Sequence, residues 1–96
     1  MNPVEQHELL SEITIALVGE VPAGWQRIVV DYSIEDGRVR VGSGVRMRDG
    51  SHVHVPVPRT LAPRFRLLRE GDTWHRLSLV IDPPNTYHVR YFRDGG

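Results

Sequence analysis

Between Trp74 and Arg93, apolar and polar residues alternate on both sides of the turn Asp82-Pro83-Pro84-Asn85-Thr86, and the two runs are in matching phase. Leu77, Leu79 and Ile81 recur at every second position before the turn, as do Tyr87, Val89 and Tyr91 after it. Side chains on a strand point to alternate faces. Pairing Ile81 with Tyr87, Leu79 with Val89 and Leu77 with Tyr91 therefore gathers all of these on one side. Arg76, Ser78, His88 and Arg90 then share the other side with Val80 and Phe92, as in an antiparallel sheet with one wet face. The two prolines have no N–H to give a ladder, so they end the strands and fix the reversal. A hairpin with one apolar face must be covered by other parts of the chain.

A second hairpin comes earlier. Ile28, Val30, Tyr32 and Ile34 alternate with polar neighbours up to Asp36-Gly37, the pair favoured in a two-residue type I′ turn, and Val39, Val41, Val45 and Met47 follow. This phase sets Ile34 against Val39, Tyr32 against Val41 and Ile28 against Val45, so both arms are expected to bury one face, with Glu35 opposite Arg38. Gly42 and Gly44 weaken the return arm and mark either a bulge or a close backbone approach. A three-residue loop Asp49-Gly50-Ser51 keeps Val53 and Val55 on the apolar side, opposite Met47 and Val45, in a third strand running to Val57. Pro56 and Pro58 put that strand at a sheet edge, open to a copy of itself or to a partner.

Two segments have helical spacing. Asn2-Pro3-Val4-Glu5 is close to a capping box with proline at the first helical position, and Leu10, Ile13 and Leu17 recur behind it, predicting a helix from Pro3 to Val18 that stops at Gly19. Leu61, Phe65 and Leu68 predict a shorter helix over Thr60 to Glu70, with Pro63 in its first turn. Trp25 and Trp74 each begin a strand after a turn and are expected to cap the core. The expected fold is α+β in two layers: an approximately five-stranded, mainly antiparallel sheet with two helices on one face, in the order α-β-β-β-α-β-β.

With 96 residues the chain is expected to be a single domain, 1–96, with one modest core and little room for a deep cleft. No apolar run approaches the ~20 residues of a membrane span, the first residues lack the basic region of a signal peptide, and cysteine is absent. A cytoplasmic location without membrane association is therefore expected. Net charge is zero but unevenly spread: residues 1–36 hold seven carboxylates and one arginine, and residues 37–96 hold five carboxylates and eleven arginines. Lysine is absent, a bias that codon usage explains without chemistry, although rigid guanidinium forks also suit carboxylates and phosphates.

Groups that could carry chemistry are few. His52 and His54 alternate, so on a strand both imidazoles share a side and could hold a metal if His75, Glu35 or Asp31 came near; as a bare pair they are polar surface. Ser78 and His88 share a face of the hairpin, with neither a nucleophile elbow nor a glycine-rich oxyanion turn beside them. Glu35 and Asp36 sit in a solvated turn, and Gly42-Ser43-Gly44 does not lead into a helix N-terminus as a phosphate loop does. No catalytic residue, cofactor or metal is expected. Arg38, Arg40, Arg46, Arg48, His52 and His54 are expected to project from the face the helices leave bare, and are the candidate partner-binding residues. Zero net charge, an acidic first helix and the lack of interleaved exposed aromatics disfavour nucleic acid as the partner.

Two stretches together resemble a known family. One is the glutamate-rich helix that runs through Val21-Pro22-Ala23-Gly24-Trp25 into a strand with Asp31-Tyr32-Ser33; the other is Thr73-Trp74-His75-Arg76-Leu77-Ser78-Leu79 followed, after the turn, by Tyr87-His88-Val89-Arg90-Tyr91. They are similar to the YezG-like immunity (antitoxin) proteins of bacterial polymorphic toxin systems, over about half of the chain. The resemblance implies a small, non-enzymatic cytoplasmic protein that binds a cognate toxin domain and inhibits it by occlusion, with no shared catalytic residues. A small binding module for nucleic acid or protein and a small metal-dependent enzyme are the alternative readings.

Overall fold

The computed structural model describes residues 2–93; Met1 and residues 94–96 lie outside the described residues. Helix α1 (Pro3–Val18) is followed by strands β1 (Trp25–Glu35), β2 (Arg38–Met47) and β3 (His52–Val53). A 3-10 turn (Arg59–Leu61) leads into α2 (Ala62–Arg69), and β4 (Trp74–Asp82) and β5 (Thr86–Arg93) complete the chain. The strands form one antiparallel sheet in the order β3-β2-β1-β4-β5. The fold is α+β, with the element order expected from the sequence. Among the described residues no helix is long and apolar enough to cross a membrane.

Local chemistry explains the element ends. Asn2 Oδ1 accepts the Glu5 N–H at 2.8 Å, and Asn2 Nδ2 donates to Glu5 Oε1 at 3.1 Å, so the first turn of α1 is capped reciprocally. At the other end the Gly19 N–H donates to the Ile15 carbonyl at 3.1 Å. Asp36 and Gly37 both have positive φ, at 51° and 74°, as a type I′ turn demands. Ile34 then pairs with Val39, Tyr32 with Val41 and Ile28 with Val45, and in the other hairpin Leu77 pairs with Tyr91, Leu79 with Val89 and Ile81 with Tyr87. The hairpins join through β1 and β4, with Val30 against Leu79.

One face of the sheet and both helices share a single hydrophobic cluster. Leu10, Ile13 and Leu17 of α1, with Leu61, Phe65 and Leu68 from the second helical segment, pack with Ile28, Val30, Tyr32, Leu77, Leu79 and Ile81. The Tyr32 ring stacks on Phe65 with centroids 4.8 Å apart and meets the edge of Trp74 at 5.9 Å. Trp74 is fully buried and its Nε1–H donates to the Leu68 carbonyl at 3.2 Å, whereas Trp25 is only half-buried at the rim. The Arg69 guanidinium donates to the carbonyls of Asp72 and Trp74, holding the turn between α2 and β4. At the far edge of the sheet, Gln6 Nε2 donates to the Tyr91 hydroxyl at 2.9 Å and His7 Nδ1 lies 2.5 Å from the Tyr87 hydroxyl, tying α1 to β5.

Three expectations are corrected. The third strand is two residues long, and it pairs Val53 with Val45 and His52 with Arg46, two positions from the expected register. The loop residues are Arg48, Asp49 and Gly50, with the Met47 N–H donating to the Ser51 carbonyl at 2.8 Å. A shift of two conserves the face each side chain takes, which is why the apolar phase alone could not tell these registers apart. The ladder stops at Val53, and the Val55 carbonyl accepts from the Ser43 hydroxyl at 2.5 Å instead of from a backbone N–H. The second correction concerns Val39 and Val41, which keep their partners but stay 52% and 45% exposed. Helix α2, eight residues and so about 12 Å long, stops short of them. Third, the bulge lies at Trp25/Arg27, and the ladder past Gly42 and Gly44 is regular.

Candidate functional site

On the sheet face away from the helices, Arg38, Arg40, Arg46 and Arg90 make no ion pair among the described residues. Across the strands, Arg40, Ser33, Arg76 and Phe92 form one row, Gly42, Asp31, Ser78 and Arg90 the next, and Gly44, Val29, Val80 and His88 the third. Arg46 pairs with Arg27 on one side and His52 on the other. Arg38, Arg40, Arg46, Arg48, His52 and His54 are all exposed, as expected, and the register puts Arg38, Arg40, Arg46 and His52 on this face. Arg48 belongs to the turn after β2, and His54 lies past the end of β3 with its Nδ1 3.3 Å from the Ser43 carbonyl oxygen.

The face divides into two electrostatic halves. Towards β4 and β5 its charges are matched: Arg27 grips Asp82 through Nε at 2.9 Å and Nη2 at 3.3 Å, and Arg76 Nη2 meets Asp31 at 2.9 Å. His88 Nε2 is 3.9 Å from the same Asp82 carboxylate, and the Arg27 hydrogen bond holds that carboxyl below the usual carboxylate range. Arg76 and Arg90 also lie over the Phe92 ring, at 4.9 and 5.5 Å from its centroid. Towards the β2–β3 edge the side chains of Arg38, Arg40, Arg46 and Arg48 make neither a hydrogen bond nor an ion pair among the described residues. Sequence could not separate these sets, because Asp82 and Asp31 reach their partners through strand pairings distant in the chain.

Between the arginine-bearing ends of β2 the face is flat. A Cβ built on Gly42 or Gly44 would meet nothing within 4 Å. Beside them Arg27, Val29, Gly44, Arg46 and His52 line a shallow hollow of ≈ 270 Å³. Such a surface suits contact with a broad, flat partner better than enclosure of a small substrate.

The groups considered for chemistry are not assembled into a reacting site. Among the described residues no three His, Asp or Glu side chains converge as metal ligands. His52 and His54 are not held in one ladder, since β3 ends between them. Ser78 stands opposite Arg90 and His88 opposite Val80, and the near polar neighbour of the imidazole is Asp82. Glu35 and Asp36 border an open surface with Arg38 and Arg40.

A second surface leaves little trace in the sequence. On the helix side, Tyr32, Val39, Val41, Val57, Phe65 and Arg66 contribute to a groove of ≈ 470 Å³ between the β1–β2 hairpin and α2, and burial pushes the Tyr32 phenol up. Its signal was faint: Val39 and Val41 look like core residues, and only the shortness of the second helical segment hints that they are not covered. No protein-family model matches the chain, and no curated protein matches its sequence significantly.

Proposed function

We propose that the chain is an immunity-type protein that inhibits a cognate bacterial toxin domain by occluding it, using the bare sheet face as its contact surface. The observation that carries this reading is the set of arginines at 38, 40, 46 and 48, exposed and with no ion pair among the described residues, around the flat strip of Gly42 and Gly44. An arginine left unpaired in the free protein can meet a carboxylate of a partner without first breaking an internal bond, and its fork makes that contact directional. The resemblance of the Val21–Trp25 entry and the Trp74–Tyr91 hairpin to immunity proteins supplies the partner class. Such a pair associates fast at low salt and more slowly as salt rises.

Co-expression with the C-terminal domain of a toxin encoded next to this chain's gene tests this, and a neighbourhood that encodes no such toxin counts against the reading. Growth is expected to be rescued by the native chain and lost with Arg46→Glu/Arg48→Glu, while the variant keeps the native circular dichroism spectrum. Toxicity that persists with the native chain, at levels where both proteins are soluble, removes the reading.

A further inference from the structure

The two-residue β3 leaves most of β2 as an open edge. β2 has β1 along one side over its whole length, but β3 meets its other side only at Val45 and Arg46. The Met47 N–H donates to the Ser51 carbonyl and the Ser43 carbonyl faces His54, so the odd-numbered residues of β2 direct their backbone groups outward. Val39 and Val41 therefore present N–H and C=O groups along an edge where no strand lies among the described residues. Their side chains, half exposed, stand on the helix side over the apolar groove with Val57 and Phe65. On the opposite face of the same edge stand Arg38 and Arg40, and Arg59 and Arg66 border the groove.

We propose that the β2 edge from Arg38 to Gly42 takes an extended segment of a partner protein as an added strand, in which apolar residues alternate with acidic ones. Residues paired with Val39 and Val41 share their face and enter the groove, and a residue paired with Arg40 falls on the arginine side, where a carboxylate is matched. A second copy of this chain fits poorly. Antiparallel self-pairing centred on Val39 or Arg40 sets guanidinium against guanidinium. Centring it on Val41 needs the Ser43 carbonyl, where His54 Nδ1 already sits at 3.3 Å. Glu35 stands across the hairpin from Arg38, yet makes no ion pair with it among the described residues. The edge site stands apart from the immunity reading: it holds even where co-expression gives no rescue.

The probe is a peptide of alternating valine and glutamate, titrated into the isotope-labelled full chain, with a valine–lysine peptide of equal length as control. Amide shifts are expected to centre on residues 38–42, with slowed hydrogen exchange at the Val39 and Val41 amides. Arg40→Glu is expected to weaken binding about tenfold or more. Val41→Pro, which deletes an outward N–H, is expected to abolish it. If Val41→Pro does not fold, Arg40→Glu and the lysine control still decide. Absence of shifts up to about 1 mM peptide overturns the proposal. So does equal binding of the lysine peptide, a response confined to Arg46 and His52, or a dimer that already protects Val39 and Val41 without peptide.

Discussion

Replacing Gly42 and Gly44 with alanine should make the free protein more stable and its complex weaker. The pairing of β1 with β2 is unbroken from Arg27↔Arg46 to Glu35↔Arg38, so neither glycine serves a bulge. Neither has a positive φ, and an added Cβ at either position meets nothing within 4 Å. A side chain thus costs no strain, and the effect left is that of glycine's larger unfolded-state freedom, about 0.5–1 kcal/mol per site relative to alanine. Both sites together give about 1–2 kcal/mol. In a domain of this size each kcal/mol moves Tm by about 4–8 °C, so the double variant should melt roughly 4 to 16 °C higher. Calorimetry checks the shift, and urea denaturation followed by circular dichroism checks that the gain appears in the midpoint with m unchanged. A lower Tm would refute the reasoning, because the strip would then be required by the fold. The same two methyl groups stand on the flat part of the bare face, between Val29 and the unpaired arginines, where a docked partner has to approach the backbone. Higher stability with lower affinity separates a strip kept for contact from one kept for folding.

Other perturbations follow from single contacts. Asn2→Ala removes the acceptor of the Glu5 N–H and should cost about 1 kcal/mol in urea denaturation, while Asn2→Asp should retain most of the cap. Phe65→Ala takes away the ring stacked under Tyr32 in the buried cluster, a loss of about 3–5 kcal/mol that should leave only a broad, low-denaturant transition. Asp72 is held down to about 2, first by the Arg93 guanidinium and then by the Thr73 N–H. Its folded pKa lies below the ordinary 3.8, so it adds stability above pH 3.8 that is lost as pH falls towards 2. Asp72→Asn should be less stable at neutral pH by less than about 1 kcal/mol, since the pair is solvated, and the difference should close near pH 2 in acid denaturation.

The parts of the fold that could be read from sequence are those set by neighbours in the chain. Asp36-Gly37 and the two-proline turn fix the register of their hairpins, because a short turn leaves one pairing that keeps the apolar phase. Asn2, Pro3 and Glu5 announce the start of α1 for the same local reason. The third strand is shorter than its pattern suggests: Val53, Val55 and Val57 alternate as a strand does, whereas the ladder stops at Val53 and the Val55 carbonyl accepts from the Ser43 hydroxyl. Alternation reports which side is apolar and leaves open where the ladder stops.

Charge has a similar split between what is local and what is not. Eleven arginines in residues 37–96 are equivalent in the sequence, yet the fold sorts them by what lies across the sheet. The β1–β4 pairing brings Asp31 beside Arg76 and the end of β4 brings Asp82 to Arg27, so two carboxylates are engaged near the centre, and among the described residues none forms an ion pair with the arginines of β2. Arg38 and Arg40 therefore lie where the sheet also runs out of strands. An exposed β-edge invites indiscriminate pairing, and like charges along it are the common defence. On β2 that defence is selective: Arg38 and Arg40 repel a second copy or a basic strand and attract an acidic one, while Val39 and Val41 between them reward a strand with the matching alternation. Reversing only Arg40 should therefore not close the edge but change what it accepts, making Arg40→Glu bind the valine–lysine peptide better than the native chain does.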